Sequence, residues 1–165
     1  MKTCVFAGTF DPITSGHAYV IDECLKCFDK VVIAVGVNVD KNPLFSFEQR
    51  VKMIEAEYGN NPAISIKSFD GLLTDFMKEN DIFINVRGIR DQDDYKYETN
   101  MARYNRDLYS DITTLYIPTP ATLLHVSSSG VRNLIALNAS FDGYMPSKSA
   151  TLAKEFIKEM KKQDP

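Results

Sequence analysis

The residues from 6 to 17 have the composition of a phosphate-binding turn. They read Phe-Ala-Gly-Thr-Phe-Asp-Pro-Ile-Thr-Ser-Gly-His, after the apolar run Cys4–Phe6 and before an amphipathic helix predicted to begin near Gly16. Glycine lets the backbone approach a bulky anion closely. A helix N-terminus offers unpaired N–H groups and the positive end of the helix dipole. His17 adds a donor that can carry charge, so we predict that this turn handles phosphate.

Cations and hydroxyl groups recur at three later points of the chain. Lys41 lies in a polar loop, Arg87 and Arg90 flank a Gly-Ile pair, and Ser127–Ser129 precede a predicted helix. Arginine matches phosphate with two parallel hydrogen bonds, and lysine meets it as a point charge. Taken singly, an arginine after a strand is usually a surface residue, and a serine run is usually a helix cap. Their joint occurrence favours a phosphorylated substrate.

Several common chemistries do not fit the sequence. It contains no Walker A motif and no G-x-G-x-x-G, which argues against P-loop kinases and dinucleotide-binding dehydrogenases. Neither His17 nor His125 stands beside a nucleophile elbow, so acyl transfer is disfavoured. Transfer of a phosphoryl-type group needs mainly positioning and electrostatic stabilisation, without a protein nucleophile. The cations and hydroxyl groups of this chain can provide both.

The elements that must position these residues alternate between strands and helices. Apolar runs predict strands at residues 4–6, 30–37, 64–66, 82–86 and 113–117. The run at 4–6 indicates a buried strand, and the continuous run at 30–37 is typical of a strand covered on both faces. Helical spacing and capping residues predict helices at about 16–28, 46–58, 71–79, 91–108, 130–137 and 147–160. Ser46, with Gln49 three residues later, predicts a capping box at the start of the second helix. This alternation predicts an α/β protein with a Rossmann-like, doubly wound fold, built on a five-stranded parallel sheet. The length suits a single domain over residues 1–165.

The order of strands and polar clusters predicts where a ligand binds. The turn at residues 8–17 follows the first strand, and the loop with Lys41 follows the second. Arg87 and Arg90 are expected after the fourth strand, and Ser127–Ser129 after the fifth. In open parallel sheets, ligands bind beyond the carboxyl ends of the strands. We therefore expect all four clusters at one edge of the sheet.

Composition limits the classes of binding partner and the cellular compartment that we expect. The net charge of −3 argues against a nucleic-acid backbone as the main partner, and no apolar run approaches the length of a membrane span. Three cysteines without a regular framework, and the absence of a signal peptide, favour the cytoplasm. Cys24 and Cys27 form a C-x-x-C within a helical pattern, and we interpret them as core or helix-surface residues rather than a redox or metal pair.

The motifs resemble those of the nucleotidyltransferase superfamily. The segment from Gly8 to His17 is similar to its T-x-G-H signature, and Val126–Ser129 is similar to its I-S-S-S/T signature. Lys41-x-Pro43, Glu48-x-Arg50, Arg87–Arg90 and Tyr95-x-Tyr97-Glu98 extend the resemblance to bacterial-type phosphopantetheine adenylyltransferases. It covers nearly the whole chain, in order. Two departures are Ala7, where the family often has proline, and Leu123, near which the family commonly has tryptophan.

The resemblance implies a reaction and a mechanism. ATP and 4′-phosphopantetheine would give dephospho-coenzyme A and pyrophosphate, by in-line attack on the α-phosphorus with Mg²⁺ and no covalent enzyme intermediate. His17 would stabilise the transition state, and Lys41 and Arg87 would hold the attacking phosphate. The serines would hold the β- and γ-phosphates. A homohexamer and feedback binding of coenzyme A are also implied, and the tyrosine-rich helix at residues 91–108 is a plausible subunit surface.

The resemblance also implies the binding positions. On the phosphopantetheine side they are Thr9, Lys41, Leu73 and Arg87. On the ATP side they are Thr9, Phe10, His17, Gly88, Ile89, Arg90, Glu98, Leu123, Leu124, His125, Val126, Ser127, Ser128 and Ser129. Two alternatives stay open at this point: another adenylyl- or cytidylyltransferase of the superfamily, and a nucleotide-binding module without catalysis.

Overall fold

The computed structural model describes residues 1–37 and 42–163. Within these ranges, strands and helices alternate along the chain. The strands are β1 (Thr3–Gly8), β2 (Lys30–Gly36), β3 (Ile64–Phe69), β4 (Ile84–Ile89) and β5 (Thr113–Pro118). The α-helices are α1 (Ser15–Cys27), α2 (Phe47–Tyr58), α3 (Leu73–Glu79), α4 (Gln92–Leu108), α5 (Ser128–Ala136) and α6 (Ser147–Gln163), with a 3₁₀ turn at Ala121–Leu123.

The five strands form one parallel sheet in the order β3-β2-β1-β4-β5. This confirms the predicted fold class. The strand order reverses between β1 and β4, because the chain crosses to the other side of β1 after β3. In such sheets a crevice opens outside the carboxyl ends of the strands at the reversal. The turn after β1 and the end of β4 meet at that crevice.

The sheet is covered on both faces, which explains the continuous apolar runs of its central strands. Along β1, Cys4 and Phe6 belong to the larger core cluster, while Val5 and Ala7 belong to a second cluster on the opposite face. β2 alternates in the same way, and its residues from Val31 to Val35 are buried. The two central strands therefore carry the core, and the site stands on their ends.

The position of β4 differs from the prediction. The strand was expected at residues 82–86, with Arg87 beyond it, but it spans Ile84–Ile89. The ladder with β5 continues through Arg87↔Tyr116 to Ile89↔Pro118, so backbone pairing outlasts the apolar run. β3 also continues beyond its predicted end at residue 66, because it pairs with β2 as far as Gly36↔Phe69. Arg87 is thus held by the rigid sheet rather than by a loop.

Helix ends largely follow their capping residues. The predicted capping box of α2 is confirmed: the Ser46 hydroxyl accepts from the Gln49 N–H, and the Gln49 side chain accepts from the Ser46 N–H. Helix α1 carries a second capping box, between Thr14 and His17, which was not predicted. Cys24 is buried in the core and Cys27 is exposed near the end of α1, as we interpreted them. No described helix has the length and apolar character to cross a bilayer.

Candidate functional site

A cavity of about 470 Å³ opens where β1 and β4 end. It is bordered by the turn after β1, the end of β4, one side of α4 and the start of α5. Many of the residues predicted for substrate binding line it. They are Thr9, Phe10, His17, Arg87, Gly88, Arg90, Glu98, Val126, Ser127, Ser128 and Ser129. The fold thus brings residues from four segments of the chain into one site.

The other predicted positions lie elsewhere. Ile89 is the last residue of β4, and Leu73 begins α3, where it packs against the smaller core cluster. Leu123 ends the 3₁₀ turn, and Leu124 after it is 44% exposed. His125 contacts the Tyr144 ring edge-on at 5.5 Å. These five residues do not line the cavity. Lys41 lies outside the described residues.

The turn after β1 is built around Phe10. Its φ of 51° falls in the left-handed region, which costs a bulky residue about 1–3 kcal/mol and persists only where the surroundings enforce it. The ring is buried and lies over Gly8, where an added Cβ would come within 3.2 Å of it. A side chain at Gly8 would therefore push the buried Phe10 ring aside by a few tenths of an ångström.

Asp11 ties this turn to its surroundings. Its carboxylate accepts the backbone N–H groups of Leu44 and Phe45, both at 2.9 Å. Its carbonyl oxygen accepts from Arg132 Nη1 at 2.6 Å, and that guanidinium lies 3.8 Å from the carboxylate. The carboxylate is occupied by the segment before α2, and the carbonyl by α5. Asp11 consequently acts as an anchor of the turn rather than as a reacting group.

Arg50 supports the same turn from below. Its side chain is fully buried, and Nη1 donates to the carbonyl oxygens of Thr9 at 2.6 Å and Gly36 at 3.1 Å. It therefore joins the end of β2 to the cavity floor. This supporting contact of Arg50 was not predicted from the sequence. A signal was present, because Arg50 lies between Phe47 and Ile54 on the apolar side of α2, where an unexplained charge is unusual.

His17 is held in one orientation by the N-terminus of its own helix. The backbone N–H of Thr14 donates to His17 Nδ1 at 3.1 Å, which completes the capping box of α1. The imidazole packs against Phe10 and Phe6, with ring centroids 5.0 and 6.0 Å away. A backbone N–H can only donate, so Nδ1 must accept and the proton of the neutral ring is on Nε2. The ring borders the cavity.

The surroundings keep His17 neutral. Burial, and then the positive charges of Arg87 and Arg90, lower its pKa from 6.5 to about 4. Protonation would also place a hydrogen on Nδ1, facing the Thr14 N–H that it now accepts. At neutral pH the side chain is therefore a fixed, uncharged N–H donor. Such a donor can stabilise negative charge that develops on a phosphate oxygen, without giving up its proton.

The two predicted arginines are both paired with carboxylates from α4. Arg87 donates from Nε and Nη2 to the two oxygens of Glu98, at 2.9 and 2.6 Å, and from Nη1 to the Ala7 carbonyl oxygen at 2.6 Å. Arg90 donates to the Asp94 carboxylate at 2.8 and 3.2 Å. This hydrogen bonding raises the pKa of Arg90 and lowers that of Asp94.

The serines at the start of α5 divide into two roles. Ser127 is the N-cap, and its hydroxyl accepts from the Gly130 N–H at 3.0 Å and lies 3.2 Å from the Ser129 hydroxyl. Ser128 instead donates to the Pro12 carbonyl oxygen at 2.8 Å, which links α5 to the turn after β1. Arg132, one turn further, also lines the cavity and was not predicted. This helix terminus can receive anionic oxygens.

Comparison with known proteins identifies a family for the chain. A profile of the cytidylyltransferase-like family matches residues 5–134. The chain is 38% identical to the phosphopantetheine adenylyltransferase of Clostridium novyi, over 98% of this chain and 99% of that protein. It is 40% identical to the phosphopantetheine adenylyltransferase of Clostridium tetani, over 88% of this chain and 91% of that protein. It is 37% identical to that of Geobacter metallireducens, over 96% of this chain and 94% of that protein.

Solved structures support the fold alone. The crystal structure of a bifunctional NMN adenylyltransferase/ADP ribose pyrophosphatase from Francisella tularensis is similar with a TM-score of 0.71 and 20% identity. The match covers 93% of this chain, which spans about half (49%) of that protein. The near-complete coverage of the sequence relatives is more specific. On their identity and the profile match, this chain belongs to the phosphopantetheine adenylyltransferase family, within the cytidylyltransferase-like proteins.

Proposed function

We propose that this protein transfers the adenylyl group of ATP to 4′-phosphopantetheine, giving dephospho-coenzyme A and pyrophosphate. The observation that carries the proposal is the fixed Nε2–H donor of neutral His17 in a cavity that also holds the arginines and serines. The acceptor follows from the relatives, which are named phosphopantetheine adenylyltransferases. The site's chemistry supports the same reaction class, because it offers donors and cations for phosphate oxygens.

In the proposed reaction, a phosphate oxygen of phosphopantetheine attacks the α-phosphorus of ATP. The new P–O bond forms as the bond to the β-phosphate oxygen breaks, and pyrophosphate leaves with the electron pair. His17 donates a hydrogen bond from Nε2 to a non-bridging α-phosphate oxygen as charge builds there. Loss of one such preorganised donor typically costs about 10²–10³ in rate. The reaction needs no covalent enzyme intermediate.

The other cavity residues bind and orient. Ser127, Ser129 and the first N–H groups of α5 would receive the β- and γ-phosphates, since they stand together at a helix N-terminus. Arg87 would hold the attacking phosphate through the two N–H groups, one on Nη1 and one on Nη2, that do not bond to Glu98 or Ala7. Arg90 would contribute to the binding of ATP. The assignments of Lys41 and Leu73 to phosphopantetheine rest on the family resemblance.

Magnesium would enter with ATP. Among the described residues there is no cluster of three or more acidic, histidine or cysteine side chains that could hold a metal. The Asp94 and Glu98 carboxylates are engaged by arginines, and that of Asp11 by backbone N–H groups. This fits Mg²⁺, which usually keeps several waters and binds largely through substrate phosphates. The serines would hold those phosphates, and the ion would neutralise charge on departing pyrophosphate.

Release of pyrophosphate tests the function. The purified protein, with Mg²⁺ and ATP, should release pyrophosphate when 4′-phosphopantetheine is added and not when nicotinamide mononucleotide is added. His17→Ala should lower kcat about 10²–10³-fold while ATP still binds. Turnover only with nicotinamide mononucleotide would assign the protein to another adenylyltransferase activity. Binding of ATP without pyrophosphate release would favour the non-catalytic nucleotide-binding module.

A homohexamer is also proposed, with α4 and β5 in its interfaces. No described residue of α4 is buried in the isolated chain, and Tyr95, Tyr97 and Tyr104 are 54–64% exposed. Leu108 and Leu115, on α4 and the edge strand β5, are also exposed. Exposed aromatic and apolar side chains at this density are typical of subunit contacts. Sedimentation equilibrium should give six times the chain mass, and a monomer would contradict the proposal.

Feedback by coenzyme A and a cytoplasmic location complete the proposal. Coenzyme A carries an adenylyl end and a pantetheine end, so it can fill both halves of a site built for the two substrates. It should inhibit competitively with phosphopantetheine in the pyrophosphate assay. Inhibition that phosphopantetheine cannot relieve would indicate a different coenzyme A site. Fractionation of cells that produce the tagged protein should recover it with the cytoplasmic fraction.

A further inference from the structure

We infer that Arg50 is a positioning residue: it orients the peptide group between Thr9 and Phe10 so that the Phe10 N–H faces the cavity. There this N–H donates, together with His17, to a non-bridging oxygen of the α-phosphate of ATP. The α-phosphate as acceptor rests on the proposed function. The orientation of the peptide group follows from the contacts of Arg50 and the backbone of the turn.

The guanidinium of Arg50 is fixed beneath the turn after β1. The residue is only 1% exposed, and the guanidinium lies 5.5 Å from the centre of the Phe47 ring. Nη1 donates to two carbonyl oxygens, that of Gly36 at 3.1 Å and that of Thr9 at 2.6 Å. Gly36 ends β2, so a single nitrogen joins the rigid sheet to the turn. Because Arg50 is buried and does not line the cavity, the Thr9 carbonyl group points into the protein interior.

This contact fixes the direction of the next N–H group. A trans peptide group is planar, so the carbonyl of Thr9 and the N–H of Phe10 point in opposite directions. With the carbonyl turned toward Arg50, the N–H is turned toward the cavity, which Thr9 and Phe10 both line. Within residues 1–37 and 42–163, this N–H has no hydrogen-bond acceptor. Backbone N–H groups of buried residues are almost always paired, so a bound phosphate is the acceptor that completes the turn.

The conformation of Phe10 shows that this orientation is enforced. Its φ of 51° lies in the left-handed region, which a bulky residue keeps only where its surroundings hold it there. Rotation of the peptide group between Thr9 and Phe10 would relieve that strain. The rotation would also break the bond to Arg50 and turn the Thr9 carbonyl oxygen toward the cavity, where it would repel a phosphate. Arg50 therefore selects the orientation that binds an anion.

The Phe10 N–H belongs to the same part of the cavity as His17. The imidazole packs against the Phe10 ring with centroids 5.0 Å apart, and both residues line the cavity. His17 is held by its own helix N-terminus, and the Phe10 N–H is held by Arg50. Donors that are fixed before the reaction stabilise developing charge without reorganisation during it. Arg50 itself touches no substrate and acts through the backbone of Phe10.

Steady-state kinetics of the full-length protein separate positioning from general structural support. Arg50→Met should lower kcat about 10–10²-fold and change KM for ATP less than about twofold, because the lost donor acts mainly in the transition state. Ser149→Ala is the matched control, since it removes a buried hydrogen bond to the Met53 carbonyl oxygen of the same helix, α2. It should lower the melting midpoint and leave kcat unchanged. Equal losses of kcat in the two variants, or an unchanged kcat in Arg50→Met, would overturn the inference.

A second variant, Arg50→Lys, separates the hydrogen bond from the buried charge. Lysine keeps the positive charge, but its shorter side chain cannot bridge the Thr9 and Gly36 carbonyl oxygens as the guanidinium does. We expect kcat to fall about as far as in Arg50→Met. Wild-type kcat in Arg50→Lys would show that the charge alone is sufficient, and the positioning role would be wrong.

An NMR titration tests the orientation without turnover. The labelled full-length protein is titrated with α,β-methylene-ATP and Mg²⁺, in which the bond that the reaction would break is replaced. In the wild type, binding should shift the Phe10 amide proton downfield and protect it from exchange with water. In Arg50→Met and Arg50→Lys the nucleotide should still bind without these changes. If the wild type shows the changes but releases no pyrophosphate with ATP, only the proposed function fails. A Phe10 amide that does not respond to bound nucleotide, or that responds equally in the variants, would refute the inference.

Discussion

The neutral state of His17 makes the stability of the protein depend on pH in a defined direction. Its pKa is about 4 in the folded protein and 6.5 in the ordinary, solvated state. Between these values the unfolded chain binds the proton and the folded chain does not. The free energy of unfolding therefore has its full value above about pH 6.5 and falls as the pH drops toward 4.

The size of the effect follows from the two pKa values. The whole difference corresponds to about 3 kcal/mol, since one unit is about 1.4 kcal/mol. Between about pH 7.5 and pH 5, the two titration curves give a loss of about 2 kcal/mol. The ring borders an open cavity, so screening by water reduces the expected loss to about 1–2 kcal/mol.

The matched variant is His17→Gln. Glutamine is a natural partner at this position of a capping box, so its oxygen can still accept from the Thr14 N–H, but it does not titrate. Urea unfolding at both pH values should show that the wild type loses about 1–2 kcal/mol more than His17→Gln does. All other titrating groups are common to both proteins and cancel. Equal losses, or an NMR titration of His17 centred near its ordinary pKa, would refute the reasoning.

Three further substitutions test how the site is supported. Arg50→Met should lower the free energy of unfolding by about 2 kcal/mol, because the Thr9 and Gly36 carbonyl oxygens lose their donor. Chemical denaturation measures this change. An unchanged denaturation midpoint would show that Arg50 does not support the turn. Ser127→Ala should cost about 1 kcal/mol through loss of the α5 cap and should weaken ATP binding in calorimetry. Gly88→Ala places a Cβ 2.9 Å from Val20 Cγ2 and should destabilise the protein by about 1–3 kcal/mol, with recovery in a Gly88→Ala, Val20→Ala double variant.

Local sequence patterns were sufficient to predict the fold class. The apolar run of β1 predicted a buried strand, and that of β2 predicted a strand covered on both faces. Serine with glutamine three residues later predicted the start of α2. Both signals depend on neighbours in sequence. In parallel sheets, ligands bind beyond the carboxyl ends of the strands, and this rule predicted that the polar clusters lie together. It follows from the parallel topology alone. The cavity contains His17, Arg87 and the three serines, as that rule requires.

Partners distant in sequence could not be found in this way. The end of β4 was placed three residues early, because the pairing of Arg87 with Tyr116 depends on β5 and not on the apolar run. Asp11 looked like an ordinary polar residue of a turn, and the place of Arg50 on the apolar side of α2 did not indicate which groups it contacts. Their contacts with Thr9, Leu44 and Phe45 exist only after the chain has folded back on itself.

The sequence by itself therefore determined which residues could handle phosphate and at which edge of the sheet they would stand. Spacing along strands and helices, together with motif resemblance, carries that information. Tertiary structure decided their chemical states. Burial and two neighbouring arginines make His17 a neutral donor, and Glu98 forms a bidentate ion pair with Arg87. Such states depend on distances of a few ångströms between segments far apart in the chain, which no local pattern encodes.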